Sequence, residues 1–222
     1  MFDVRVDLKR LEDRIDRFEE QPIETGKIMF YGDSAFTRWG PRHGNRPLAE
    51  DICTKDGSPA AVNHGFGTST AEEQLYFYDR AVRPWKPRAL VLQTFGNDHG
   101  LGYSPMEIVN LYARLCAYAR HDMPGIKIYI CDVQPNIKII GMEGKQAFIR
   151  EYNQLLKEYC DRHDDCTLIE HTKCPYFYED PDDIGGYDKI RKDIFIEDQV
   201  HYNQEGYDLY RKFFLEVLDD IL

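Results

Sequence analysis

The chain has 222 residues, with 28 Lys+Arg against 39 Asp+Glu for a formal charge of −11; 42% of its residues are hydrophobic, 13% aromatic and 30% charged. That length fits one domain with a substantial core, and the composition excludes a disordered chain. The acidic balance argues against nucleic acid or an anionic membrane as the main partner, and no run approaches the ~18 apolar residues of a membrane helix.

The start, Met1 to Asp7, is dotted with charges and lacks the basic-then-apolar order of a signal peptide. A reducing cytoplasm is therefore the expected compartment, and the six cysteines are expected as thiols. Phe2, Val4, Val6 and Leu8 alternate like a strand, whereas Leu8, Leu11, Ile15 and Phe18 share one helical stripe. The expectation is a helical extension within residues 1–20, with the helix over about 8–19 docked on its own domain. A partner-facing segment is the alternative. Residues 27–31, 60–63, 89–95, 126–131 and 166–170 read as short strands, β-branched or aromatic and apolar on both faces. Between them, Thr70 to Glu73 is a capping box opening a helix over 71–80, and Ser104-Pro105 with Glu107 opens another over 105–121. Residues 145–162 carry one apolar face, and Asn203 can cap a last helix running to Leu222.

Such alternation predicts an α/β fold in one domain over residues 1–222: a three-layer α/β/α sandwich around a mostly parallel five-stranded sheet. Ligands of these sheets sit beyond the carboxyl ends of the strands. Small or polar clusters fall there: Gly32-Asp33-Ser34, Asn63-His64-Gly65-Phe66-Gly67-Thr68 and Gly96-Asn97-Asp98, with Asp198 and His201 just before the last helix.

The chemistry that fits is hydroxyl nucleophilic catalysis. A serine hydroxyl attacks only when an imidazole takes its proton, and a third group must hold that imidazole in the right tautomer. Ser34 stands at a strand tip, and Asp198 and His201 are three residues apart, so one turn can aim the carboxylate at the ring. The backbone N–H of Ser34, one in the turn at residues 65–68 and the Asn97 amide can meet the developing oxyanion.

These four clusters, in this order over nearly the whole chain, resemble the SGNH (GDSL-type) hydrolase superfamily. The resemblance implies a flavodoxin-like fold, Ser34 as nucleophile, His201 as general base and Asp198 as its partner. Asn97 and the glycine-turn backbone would form the oxyanion hole. One departure is that the family's turn usually reads GxGG, whereas here Thr68 follows Gly67. Thr68 can supply the N–H if its φ is not positive, or Gly67 can supply it instead.

Asp33, His64, His99 and Tyr176 flank these clusters as candidate substrate contacts, and residues 172–197 are a candidate pocket wall or lid. Ser69, one residue short of a GxSxG elbow, reads as helix-start polarity. Cys160, His163, Cys166, His171 and Cys174 lack paired zinc-ligand spacing and read as small buried residues; residues 179–183 read as a surface turn. No metal or cofactor is implied. The expected function is a serine hydrolase cleaving a small acyl ester, possible substrates including a carbohydrate ester, through an acyl-enzyme. The alternatives are a thioesterase or lysophospholipase of the same superfamily, or a non-catalytic binding domain that retains the residues.

Overall fold

A computed structural model of the chain describes residues 5–139, 143–184 and 189–222. Phe2 and Val4, which entered the sequence reading, lie outside the described residues, as do residues 185–188 of the candidate wall or lid. Five strands, β1 (Ile28–Gly32), β2 (Ala61–Gly65), β3 (Ala89–Gln93), β4 (Lys127–Cys131) and β5 (Cys166–Ile169), pair in the order β2-β1-β3-β4-β5, every pairing parallel. All residues of β1 and β3 are buried, which is why neither shows the polar alternation of a one-sided sheet.

Because side chains alternate along a strand, each strand feeds two cores. Met29, Tyr31, Leu90, Leu92, Ile128 and Ile130 point to one face. There they meet α1 (Glu12–Glu19), α4 (Ala71–Tyr76), α5 (Tyr78–Ala81), α7 (Pro105–Asp122) and α8 (Glu143–Cys160). Ile28, Phe30, Val91, Tyr129 and Cys131 point to the other, where Phe36 of α2 (Ser34–Thr37), Leu48 of α3 (Leu48–Asp51) and the aromatic face of α9 (Gln204–Val217) cover them. A short α6 (Gly96–Gly100) follows β3. The result is a three-layer α/β/α sandwich.

Several helices start where their sequence signals lie. Both capping boxes form, at Thr70/Glu73 and at Ser104/Glu107. The helix expected over 71–80 breaks into α4 and α5 at Phe77. The N-terminal helix is shorter than its hydrophobic stripe, spanning Glu12–Glu19, and Leu11, Ile15 and Phe18 sink into the chain's own first core. Arg80 ties it down through Glu12, Asp16 and Glu19.

The strand order reverses direction beside β1: the chain moves from β1 to β2 on one side, then to β3 on the other. In open parallel sheets such a switch point places ligands there, beyond the ends of β1 and β3. On that face Tyr207 of α9 donates to the Ala35 carbonyl (2.8 Å) and Trp39 stacks against Tyr207 and Tyr210. The first turn after β1 and the segment leading into α9 are thereby held together, although 167 residues separate Ser34 from His201.

Candidate active site

β1 ends at Gly32, and Asp33 caps α2 by accepting the Ala35 N–H at Oδ1 (3.0 Å). Ser34 is the first residue of that helix, so its N–H has no acceptor within it. The turn sits close against its neighbours. A Cβ on Gly32 would lie 2.7 Å from the Gln93 carbonyl oxygen, and one on Gly65 would lie 2.4 Å from the Thr37 nitrogen. Only glycine fits at either position.

From the far end of the chain, Asp198 folds its own loop. Its Oδ1 accepts the N–H groups of Val200 and His201, both at 2.9 Å. Its Oδ2 lies 2.6 Å from His201 Nδ1, and His201 Nε2 lies 2.8 Å from Ser34 Oγ. With the ring proton on Nδ1 facing the carboxylate, Nε2 is left to accept the Ser34 hydroxyl proton. Gln199, inside this loop, holds φ +61°. Together with Thr68 at +69° it places two left-handed non-glycine residues in the site, each costing about 1–2 kcal/mol that the surroundings must offset.

Partial burial pushes the Asp198 carboxyl up, but the amide and ring of His201 and the amide of Val200 outweigh it and hold the carboxyl at about 2. The His201 imidazole is held below its ordinary 6.5: burial disfavours its cation, the Asp198 hydrogen bond opposes that, and the Arg38 charge adds to the lowering. Arg38 Nη2 stands 3.9 Å from Asp198 Oδ2. A base must be neutral to accept a proton, so activity should rise with pH along a limb centred below 6.5 and then level off. Removing the cation raises the imidazole pKa, so Arg38→Ala should move that limb to higher pH. A kcat/KM profile of the two proteins checks this, and an unmoved limb or one displaced to lower pH contradicts it.

On the opposite side of Ser34 runs the turn at residues 65–68. A Cβ built on Gly67 would lie 3.8 Å from Ser34 Cβ and 3.9 Å from its Cα. The condition placed on Thr68 is not met, because its φ is positive; the backbone follows the course a glycine would take freely. Asn97 donates from Nδ2 to the Ser69 carbonyl (3.0 Å), which leaves the second amide proton available. Next to it, buried Asp98 accepts the Ala71 N–H (2.8 Å) and the Thr94 hydroxyl, with burial pushing its carboxyl up to about 7.

A cleft of about 280 Å³ opens over Ser34 and His201. Gln93, Thr94, Asn97, Gln134, Asn136, Lys138 and Lys145 line it together with the apolar side chains of Ala35, Phe95, Val133 and Val200. A larger groove of about 530 Å³ lies beyond Thr37 and Gly65, and none of Ser34, Asp198 and His201 lines it.

The candidate substrate contacts fare unequally. Asp33 lines the cleft, but its carboxylate is engaged in capping α2 and is pushed up to about 6 by burial. His64 is corrected to a core residue: 1% exposed, it stacks on Phe18, meets Trp85 edge-on and bonds the Ala81 carbonyl through Nδ1. His99 packs against Phe95 and Phe148 behind the cleft wall. Tyr176 bonds Glu216 and carries Lys212 over its ring, on the outer side of α9. Of residues 172–184 and 189–197, none lines the cleft. Phe177, Tyr178, Ile190 and Ile194 from this stretch fill the second core instead. Ser69 is fully buried and accepts from Gln74 Nε2 (3.2 Å).

Sequence reasoning passed over Arg38, four residues after Ser34 and so one helical turn on. It also passed over Arg10, whose guanidinium reaches Thr68 and Glu73 across more than fifty residues. Spacing from Ser34 offered a signal for the first; nothing local did for the second.

The model of the GDSL-like lipase/acylhydrolase family matches residues 30–209. The chain belongs to that family. It is accordingly an ester hydrolase of the GDSL type, and the strand-end clusters fall inside the matched region. Three solved structures show the same fold. A Bacteroides fragilis protein provisionally described as an acylhydrolase shares 18% identity, with 97% of this chain and 98% of that one covered at a TM-score of 0.72. A GDSL-like lipase from Bacteroides thetaiotaomicron shares 14%, covering 97% and 100% at 0.68. The psychrotrophic esterase EstA from Pseudoalteromonas, in a structure inhibited by monoethylphosphonate, shares 13%, covering 88% and 97% at 0.60. No curated protein matches the chain in sequence.

Proposed function

We propose that this GDSL hydrolase cleaves a small acyl group from a polar alcohol through a covalent acyl-enzyme on Ser34. The observation that carries the reading is the continuous Ser34–His201–Asp198 hydrogen-bond chain, with Oγ–Nε2 at 2.8 Å and Nδ1–Oδ2 at 2.6 Å. Ser34 Oγ attacks the ester carbonyl carbon as His201 Nε2 takes its proton, and Asp198 stabilises the resulting imidazolium. The carbonyl oxygen becomes an oxyanion that the Ser34 N–H, the Gly67 N–H and the Asn97 amide would meet. Collapse expels the alkoxide, which leaves as the alcohol with the proton from His201. Water then attacks the acyl-serine, His201 takes the water's proton and returns it to Ser34 Oγ, and the acid departs.

The cleft supports the substrate class. Its volume of about 280 Å³ is at the lower edge of what drug-sized ligands occupy, and amides, hydroxyls and ammonium groups share its lining with Ala35, Phe95, Val133 and Val200. The apolar wall of Ala35, Phe95, Val133 and Val200 can take a small acyl group, and the small volume leaves no room for a long acyl chain. An acetyl or short-chain ester of a carbohydrate fits the volume, with the amides and ammonium groups available to the sugar hydroxyls. Among the described residues no helix is long and apolar enough to cross a membrane, and the six cysteines are free, in keeping with action in a reducing cytoplasm.

A series of p-nitrophenyl esters from acetate to palmitate, run beside acetylated sugars, tests the proposal. Turnover should peak at two to four acyl carbons and fall steeply beyond about eight, and acetylated sugars should be hydrolysed. A maximum at long chains would favour a lysophospholipase; a preference for thioesters of equal chain length would favour a thioesterase.

A further inference from the structure

We infer that Arg10, from the segment preceding α1, is a positioning residue for the oxyanion turn, holding Thr68 in the left-handed conformation that this turn needs. The inference rests on the reading of Ser34 as nucleophile and adds to it a part supplied by the N-terminal arm.

Arg10 makes four contacts with one planar group. Nη2 donates to the Thr68 carbonyl (2.6 Å) and to Glu73 Oε2 (2.8 Å), Nη1 donates to the Thr68 hydroxyl (3.3 Å), and Nε pairs with Glu73 Oε1 (2.7 Å). Glu73 is fully buried, and its Oε2 also accepts the Thr70 N–H (3.0 Å) and faces the Thr70 hydroxyl (3.1 Å). The segment from Thr68 to the first turn of α4 is therefore pinned through one carboxylate and one guanidinium. Gly67 lies on the opposite side of the same turn, packed against Ser34.

The pinning has a reason in the side chain at position 68. A β-branched residue at φ +69° is disfavoured wherever the chain is free to relax, and it persists only where contacts over-determine it. A glycine there would need no such support. Arg10 supplies it by holding both the carbonyl and the hydroxyl of the strained residue, a geometry that five donors in a rigid fork allow and a single ammonium does not. Arg10 is itself held in place because the next residue, Leu11, is buried in the first core and α1 is roped to Arg80.

Arg10→Ala alone would strand the buried Glu73 carboxylate, so the comparison is made in a Glu73→Gln background, where no buried charge is left unpaired. Against Glu73→Gln, adding Arg10→Ala should lower kcat about 10- to 100-fold while KM changes less than about threefold, as a displaced oxyanion donor would. Adding Thr68→Gly to that double variant should restore most of the lost kcat, since glycine holds the turn unaided. A purely structural ion pair predicts neither the kcat–KM split nor rescue by glycine.

The rate of labelling by a fluorophosphonate is measured in parallel. If the unaltered chain is labelled and Arg10→Ala/Glu73→Gln is labelled as fast as Glu73→Gln, the clamp is overturned and the nucleophile reading stands. Failure of Thr68→Gly to rescue a folded double variant also overturns the clamp. An unaltered chain that is not labelled overturns the nucleophile reading, and the clamp with it.

Discussion

Ser34→Ala should reduce kcat/KM for a short-chain ester by about 10⁴-fold or more while leaving the fold intact. The hydroxyl meets His201 Nε2 at 2.8 Å, and Ser34 is half-buried rather than sealed in the core. Its replacement therefore removes the attacking atom and one hydrogen bond, with little packing lost. Alanine is also a good helix former, so α2 keeps its start under the Asp33 cap. The proposed oxyanion donors remain, and the residual rate should still exceed the uncatalysed reaction. Urea unfolding midpoints alongside the kinetics separate a lost nucleophile from a lost fold. A variant that folds and retains more than about a tenth of the activity would move the nucleophile elsewhere.

The second large effect is expected of Asp198→Asn: a fall of about 10⁴ in kcat with KM nearly unchanged. Asp198 has two tasks divided between its oxygens. Oδ1 accepts the Val200 and His201 N–H groups and shapes the loop, whereas Oδ2 faces the Nδ1 side of the ring. An asparagine can keep the first task with its carbonyl oxygen. Its amide N–H then faces Nδ1 and favours the imidazole tautomer that carries its proton on Nε2. That proton points at Ser34 Oγ, and the base is occupied before the reaction begins. The loop survives and the chemistry stops. A loss confined to KM would contradict this division of labour.

How much of this was legible beforehand follows from the range of the interactions involved. The five strands and the main helices were readable because each is written locally, in apolar runs between turn residues and in capping boxes such as Thr70/Glu73. That Ser34, Asp198 and His201 come within hydrogen-bonding reach was readable because strand ends gather polar residues in a parallel sheet and because Asp198 and His201 are one turn apart. His64 misled because a histidine beside the glycine turn looks the same in sequence whether it faces the cleft or the core. Its neighbours Phe18 and Trp85 come from distant elements, and burial holds its pKa at about 4. Tyr176 misled for the converse reason: proximity in sequence to Asp198 carried no information about which side of α9 it would occupy. The positive φ of Thr68 could not be read at all, because threonine avoids that region unless distant contacts impose it.

The unequal burial of the carboxylates also bears on the site. Asp198 is held at about 2 and so stays ionised at neutral pH, whereas buried Asp98, next to Asn97, is pushed up to about 7. The charge partner of the imidazole is thus constant where the base itself titrates. The acidic limb of the rate profile is consequently not set by Asp198.

The most direct measurement is the intact mass and peptide map of the protein after reaction with a fluorophosphonate, which phosphonylates a serine only when a neighbouring base has activated it. One adduct per chain, located on Ser34 and absent from His201→Ala, is the predicted result. No adduct on the folded protein, or an adduct on another residue that persists in Ser34→Ala, would contradict the account.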